Sequence, residues 1–328
     1  RVKRDIGENN FLGWMVTDRR DKDTSNTVAA ADASFWLRPT LNVKGFFTRS
    51  FTSGTGGEGN AYSAIVEYEA DMVGASLSHL TIDPDAQADL GFITRKDIRQ
   101  TDAEFRLSPR PGRWGIRVVD IRTEGSYIST TDGRMQDWEA GTFFGFDLES
   151  GEFVGGKIGA GKTRLDDAFE LADSIPIDAG LYDAAEARFF IKTSAHRALV
   201  GEFHGSWEDL FGGSHWRAET SLSAFPSPQV SMEVAYEWNR VELPSGDFAA
   251  TITSLRLGYA FSTKLTTNAL IQHNSLNNDF SANLRLNFIH RPGSDLFIVL
   301  TDRRGVEEEL WDLSNRGLLA TLTNLVRF

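Results

Sequence analysis

The sequence predicts an all-β fold, a transmembrane antiparallel up-and-down β-barrel of about 18 strands (16 to 18). Three observations predict it. Apolar and polar residues alternate with period two from end to end, while apolar residues at helical spacing are hard to find. Tight turns alternate with longer polar connections, as in barrels with short turns at one rim and long loops at the other. No run of about 18 apolar residues occurs, and the mean hydropathy of −0.29 is the modest value of a wall whose side chains face lipid and water in turn.

Residues 1–8 are read as a periplasmic lead-in from an upstream module and 9–328 as the barrel. The first nine strands are expected over 9–20, 26–39, 41–52, 60–71, 72–83, 101–110, 113–130, 134–150 and 151–164. The second nine are expected over 183–195, 199–211, 214–225, 228–242, 248–261, 265–276, 279–291, 295–304 and 317–328. Strands 151–164 and 26–39 are less clean, with Trp36 in the polar phase and many glycines and alanines around it, so a bulge or parity slip is expected there. In 113–130, Val119, Ile121 and Tyr127 oppose Asp120, Arg122, Glu124 and Ser126. In 134–150, Trp138, Ala140, Phe144, Phe146 and Leu148 oppose Glu139 and Asp147. Residues 230–239 split almost completely, with Val230, Met232, Val234, Tyr236 and Trp238 against Ser231, Glu233, Ala235, Glu237 and Asn239. In 280–289, Phe280, Ala282, Leu284, Leu286 and Phe288 oppose Ser281, Asn283, Arg285, Asn287 and Ile289.

A soluble sandwich would show the same alternation, so the connections decide. Arg38-Pro39-Thr40, Arg110-Pro111-Gly112, Glu149-Ser150-Gly151, Ser227-Pro228 and Arg291-Pro292-Gly293-Ser294 are tight, whereas 84–100, 165–182 and 304–316 are long. The outward band is expected to carry Val43, Phe47, Tyr62, Val66, Tyr68, Trp114, Phe189, Trp207, Trp216, Trp238 and Tyr259, against outer-membrane lipid. Arg49 and Arg240 fall in the apolar phase but close to loop ends, where a charge is tolerated. The wet inner wall is expected to include Asp120, Arg122, Glu124, Glu233, Glu237, Arg256, Asn283 and Arg285. The last strand places Leu318, Ala320, Leu322, Val326 and the terminal Phe328 on one face; Leu322, Val326 and Phe328 are read as the signal for the barrel assembly machinery.

Several function classes are excluded as expectations. A net charge of −12 and a pI near 5.0 argue against nucleic acid as a partner. With no cysteine and six scattered histidines, neither a metal nor another cofactor is expected, nor is an enzyme. Glu202, His204 and Ser206 share a face, but same-face neighbours lie about 7 Å apart, beyond direct hydrogen bonding for most side chains. The stretch GGKIGAGKT, 155–163, completes a phosphate-loop pattern through Gly156, Gly161, Lys162 and Thr163. That chemistry needs a buried strand before the loop and a helix after it. Residues 165–175 would give one short helix, but it would stand among antiparallel strands, so the glycines read as a small-residue strand rising into an outer loop. The acidic tips Asp21-Lys22-Asp23 and Asp83-Pro84-Asp85 fit no calcium-loop pattern.

RVKRDIG (1–7), FWLRPTLNVKGFFTRS (35–50), GFITRKDIR (91–99) and FSANLRLNFIHRPGSDLFIVLTD (280–302) resemble the outer-membrane barrel domain of unknown function 5916. Members usually follow a family 9 carbohydrate-binding-like module in large exported Gram-negative proteins. The resemblance implies location in the bacterial outer membrane, such a module ahead of Arg1, and no catalytic residue. A pore or conduit, with saccharides as solutes, is therefore expected. The alternative is a non-conducting barrel that anchors or builds a larger envelope complex.

Overall fold

Period-two alternation becomes strand because each pleated residue turns its side chain to the face opposite its neighbour's. The computed structural model describes residues 1–54, 56–171, 175–305 and 312–325. They form two units, one of Arg1–Phe146 with Lys157–Glu186, the other of Asp147–Gly156 with Ala187–Phe328.

Unit 1 begins with β1 (Val2–Ile6), β2 (Asn10–Arg20), β3 (Ser25–Arg38), β4 (Leu41–Thr52), β5 (Glu58–Glu69), β6 (Val73–Ile82), β7 (Ile98–Leu107) and β8 (Ile116–Ser129). Next come β9 (Met135–Leu148), β10 (Phe153–Leu165), β11 (Phe169–Leu171), β12 (Ile175–Ile177), β13 (Gly180–Asp183) and β14 (Glu186–Lys192). Unit 2 continues with β15 (Leu199–Leu210), β16 (Gly213–Ser227), β17 (Val230–Leu243), β18 (Gly246–Ala260), β19 (Leu265–Asn274), β20 (Asp279–Arg291), β21 (Ser294–Gly305) and β22 (Asp312–Leu322).

Pairing is antiparallel and follows chain order from β1 to β8 and from β15 to β22. β10 pairs with β9, β13 and β14. This is the up-and-down order that the tight turns predict. Each expected strand has its counterpart in β2 to β10 and β14 to β22. The described sheet has 20 strands, because β1 and β13 also join it. β13 and β14 are one run along β10 interrupted at Ala184 and Ala185, and residues 2–6, read as lead-in, pair with β2 from Val2↔Trp14 to Ile6↔Asn10.

Two expectations are corrected. The long connection expected over 165–182 carries the ribbon β11–β12, not the short helix that 165–175 could form, with Glu170 opposite Pro176 and residues 172–174 outside the described ones. The β-branched Ile175 and Ile177 around a proline oppose a helix and suit a strand. The alternation of short and long connections holds from β2 to β7 but fails at β7–β8, where 108–115 is longer than 130–134 between β8 and β9, and it fails along unit 2. There β15 reaches β16 through Phe211 and Gly212 alone, both with positive φ (47° and 81°). Such a two-residue turn matches the twist of the hairpin.

The slip expected near Trp36 is present: the β3–β4 register shifts between Trp36 and Arg38, and Trp36 opposes Asn42. Elsewhere the faces are continuous. Phe47 opposes Tyr62, Val66 opposes Leu77, Trp207 opposes Trp216, and Leu284 opposes Leu300, which opposes Leu318.

These apolar rows are not buried by protein. Phe47 is 49% exposed, Val234 50% and Leu318 73%, whereas the polar Asn26 and Gln136 are each 2% exposed. Soluble proteins reverse that order, filling the core with their largest apolar residues. An uncovered apolar face of this extent calls for a hydrocarbon environment.

Arg49 and Arg240 do lie on the apolar face near strand ends, and each holds a carboxylate there. Arg49 pairs with Glu58, and Arg240 Nε donates to Glu242 Oε1 at 2.7 Å. Trp114 is not in a strand of the band; it sits in the β7–β8 turn, 87% exposed, with φ of 58°.

Candidate functional site: the polar face

The polar face is built by the residues that alternate with the apolar rows. In β8, Asp120, Arg122 and Glu124 share it and fall into two clusters, Asp120 with Arg122 and Glu124 with Lys157. Asp120 accepts hydrogen bonds from Ser108 Oγ (3.1 Å) and Arg122 (3.3 Å), and Arg122 also reaches Glu104 at 3.6 Å. Glu124 takes Lys157 Nζ at 2.6 Å, and the same ammonium holds Glu186 at 2.7 Å.

That lysine explains the glycines around it. A Cβ on Gly141 would lie 3.0 Å from Lys157 Cε, and one on Gly159 would lie 3.1 Å from Glu186 Cγ. The small residues make room for a Lys157 side chain lying along the wall between two carboxylates. The rest of the phosphate-loop pattern is strand as well: Lys162 opposes Asp183 in the β10–β13 ladder and pairs with it at 2.6 Å. A Cβ on Gly161 would stand 2.4 Å from the Trp138 carbonyl oxygen. Among the described residues no helix N-terminus follows to receive a phosphate.

In unit 2 the remaining expected residues lie on the polar face of β17, β18 and β20. Glu233 pairs with Arg256 at 3.0 Å, directly opposite it in the register. Glu237 accepts from Asn239 Nδ2 (2.9 Å) and Arg217 (3.1 Å), and Arg217 also holds Glu219 at 2.5 Å. Asn283 Nδ2 donates to Thr301 Oγ1 at 2.9 Å, and Arg285 lies across from Asn268 and Val299.

Sequence reasoning missed Lys157 and a second group, Glu208, His215 and Asn239. His215 Nδ1 meets Glu208 Oε1 at 2.8 Å and its Nε2 meets Asn239 Oδ1 at 3.0 Å. The parity was readable, but which polar residues would touch depends on a register that the sequence does not print. A cavity of about 300 Å³ opens here, lined by Arg188, Phe190, His204, Glu208, His215 and Arg217. His204 meets the Phe190 ring edge-on at 5.2 Å, and Glu202 takes Lys192 at 2.5 Å, so both side chains engage residues outside the Ser206 trio.

Three charges on the apolar phase were also missed. Asp302 accepts from Arg304 at 2.8 Å and from Arg316 at 2.6 Å, close to the end of β21. Leu322, expected in the assembly signal, opposes Leu296 and is 75% exposed; Val326 and Phe328 lie outside the described residues.

No protein-family model and no curated protein matches this chain. Among solved structures it is similar to OmpT, an outer membrane protein of Vibrio cholerae in trimer form, at 11% identity over 95% of this chain and 93% of that one, with a TM-score of 0.41. It is also similar to the ferric enterobactin receptor of Pseudomonas aeruginosa, at 9% identity over 95% of this chain and 71% of that one, with a TM-score of 0.39.

The β6–β7 connection, residues 83–97, lies against the polar face of unit 1. Asn26 on β3 donates from Nδ2 to the Gln87 carbonyl (3.2 Å) and accepts from Asp89 N (3.1 Å), while Ser50 Oγ on β4 accepts from Gln87 N (3.1 Å). Arg19 on β2 holds Asp89 at 2.8 Å. The hydrogen bond from the Gln87 amide, then that from Arg19, holds the Asp89 carboxyl below its ordinary value. At the other end Arg95 reaches Asp137 (3.0 Å) and Gln136 (3.2 Å) on β9, and Asp97 accepts from Thr131 N at 3.0 Å.

Proposed function

We propose that the chain is the wall of a bacterial outer-membrane β-barrel, its apolar face against lipid and its polar face lining an aqueous conduit for uncharged polar solutes, saccharides among them. The observation that carries the reading is the division of labour between the two faces. Uncovered aromatic and aliphatic rows stand on one side, and charges neutralised by cross-strand partners stand on the other. Most strands hold 10 to 15 residues. At about 3.3 Å per residue and a tilt near 45°, such strands rise about 23 to 35 Å, on the scale of the apolar band of an outer-membrane barrel. A single antiparallel sheet in chain order meets the bilayer's demand for internal backbone pairing once its ends close on each other.

The solute class follows from electrostatics. A wall of one sign concentrates its counter-ions, whereas a pair such as Arg256–Glu233 cancels within a few ångströms, and Lys157 and Arg217 each offset one of the two carboxylates they hold, which leaves a hydrogen-bonding surface of reduced field. Such a surface suits neutral hydroxylated solutes, which is also what the sugar-binding-like module implied by the family resemblance would deliver. The apolar row of the last strand, running through Leu322, supports delivery of the chain by the barrel assembly machinery.

The test is purified protein in planar bilayers and in sugar-loaded liposomes. Steady ionic conductance with weak ion preference, and swelling in saccharide, are expected. A bilayer that stays silent at every voltage removes the conduit. The loop packed on the polar face of unit 1 favours a second reading, a non-conducting barrel that anchors a larger envelope complex. That reading expects silence in the bilayer together with defined proteins co-purifying in mild detergent.

A further inference from the structure

The 83–97 connection is pinned at both ends and unpinned in the middle. On one side it is tied to β2, β3, β4 and β5. Asp83 accepts from the Asn60 backbone and side-chain nitrogens, both at 2.9 Å, and Ala86 presses so closely on Gly59 that a Cβ there would lie 2.2 Å from Ala86 N. On the other side Arg95 and Asp97 tie it to β9 and to the turn before it. Between the ties runs LGFIT, 90–94, with Leu90 63% and Phe92 88% exposed.

Two features separate this connection from an ordinary surface loop. Four of its anchors, Arg19, Asn26, Ser50 and Asp137, are polar-face residues, so the loop lies on that face there, while Asn60 and Gln136 hold it at strand ends. Three of its polar side chains are engaged: Gln87 Nε2 donates to Asp89 within the loop at 2.7 Å, Asp89 takes Arg19, and Arg95 takes Asp137. What the middle offers to anything moving along the polar face is therefore apolar surface.

We propose that residues 90–94 are a fixed strap across the polar face of unit 1, and that Leu90 and Phe92 sort solutes by size and apolar contact rather than by charge. The inference rests on the conduit reading. A pinned strap needs no hinge motion to act, because it narrows the water-filled path simply by crossing it, and an apolar constriction adds a dewetting barrier. Its selectivity differs in kind from that of the wall, where the charges lie.

The experiment compares the full chain with two variants in planar bilayers and liposomes. In one variant residues 90–94 become glycine and serine at unchanged length. In the other Leu90→Ser and Phe92→Ser are combined. Graded polyethylene glycols read the size cut-off and a salt gradient reads ion preference. Both variants are expected to raise conductance by about twofold or more and to admit larger polymers, with ion preference unchanged. A silent parent removes the conduit reading, whatever the variants do. Conduction by all three with an identical cut-off overturns the strap alone, as does a change in ion preference without a change in cut-off. Should the five-residue replacement fail to fold, Arg95→Met, which releases one tie and leaves 90–94 untouched, is expected to shift the cut-off in the same direction; an unchanged cut-off in it and in the double serine variant overturns the strap.

Discussion

An arginine placed in the middle of the apolar row tests what covers that row. Leu284 sits mid-strand in β20, opposite Ala269 on one side and Leu300 on the other, and is 46% exposed. Phe288 lies on the same face, four residues nearer the end of the strand. At about 3.3 Å per residue and a tilt near 45°, that separation is about 9 Å of depth, most of the half-height of a band about 25 Å tall. Leu284→Arg should therefore cost about 2 to 4 kcal/mol and Phe288→Arg about 0 to 1, each measured against its own alanine variant. Asn283→Arg, one residue away on the polar face, should cost less than about 0.5 kcal/mol. The assay is reversible urea unfolding from phospholipid vesicles, followed by the emission of the eight tryptophans. Depth is the decisive contrast, since a packed protein core would also reject arginine at 284 but would not grade the penalty by distance from a bilayer centre. Equal costs at 284 and 288, or a chain that is monodisperse in buffer without detergent, would refute the reasoning.

Lys157→Met strands Glu124 and Glu186 without their shared cation and should cost about 1 to 3 kcal/mol in the same unfolding assay, against less than about 1 for Arg256→Met, whose pair is more exposed. Gly161→Ala drives a methyl to within 2.4 Å of the Trp138 carbonyl oxygen and should destabilise by about 1 to 3 kcal/mol, whereas Lys162→Ala loses only an exposed pair with Asp183 and should cost less than about 1. Because folding lowers the pKa of Asp89, its contribution is complete above the unfolded carboxylate value near 3.8 and is lost as pH falls through the lower folded value. Proteolytic cleavage in 83–97 should accordingly rise as pH drops below about 4, and Asp89→Asn should bring that susceptibility to neutral pH.

How much of this was legible depended on whether a feature is set by backbone geometry or by contacts between distant residues. Side-chain alternation belongs to the strand itself, so Val234 and Tyr236 could be assigned to one face and Glu233 and Glu237 to the other without any partner. The long strands were found for that reason, and the Trp36 slip because a tryptophan among polar-phase neighbours breaks the period. β11 and β12 were not found, since three-residue runs carry too little period to separate strand from helix. β1 mixes Val2, Arg4 and Ile6 on one face with Lys3 and Asp5 on the other, a weak amphipathic signal. Asn26 and Ser50 read as ordinary water-facing residues. Their burial arises only because a loop more than 30 positions away donates to and accepts from them, and nothing local encodes that.

The ion pairs bear on the width of any path along the polar face as well as on its charge. A long cation without a near partner extends into water and narrows the space before it. Here the cations lie across neighbouring strands: Lys157 reaches from β10 to β8 and β14, and Arg217 reaches from β16 to β17. A side chain held flat in this way covers the backbone and keeps clear of the space in front of it, and its exposed pairs add little stability, on the order of 0 to 1 kcal/mol each. Pairing on this face therefore contributes more to keeping the wall low and weakly charged than to holding the strands together, which the backbone ladders already do. In unit 1 the task of obstructing the face then falls to the β6–β7 connection tied down on it, so changes at Leu90 and Phe92 should alter passage more than neutralising Arg122 or Lys157 does.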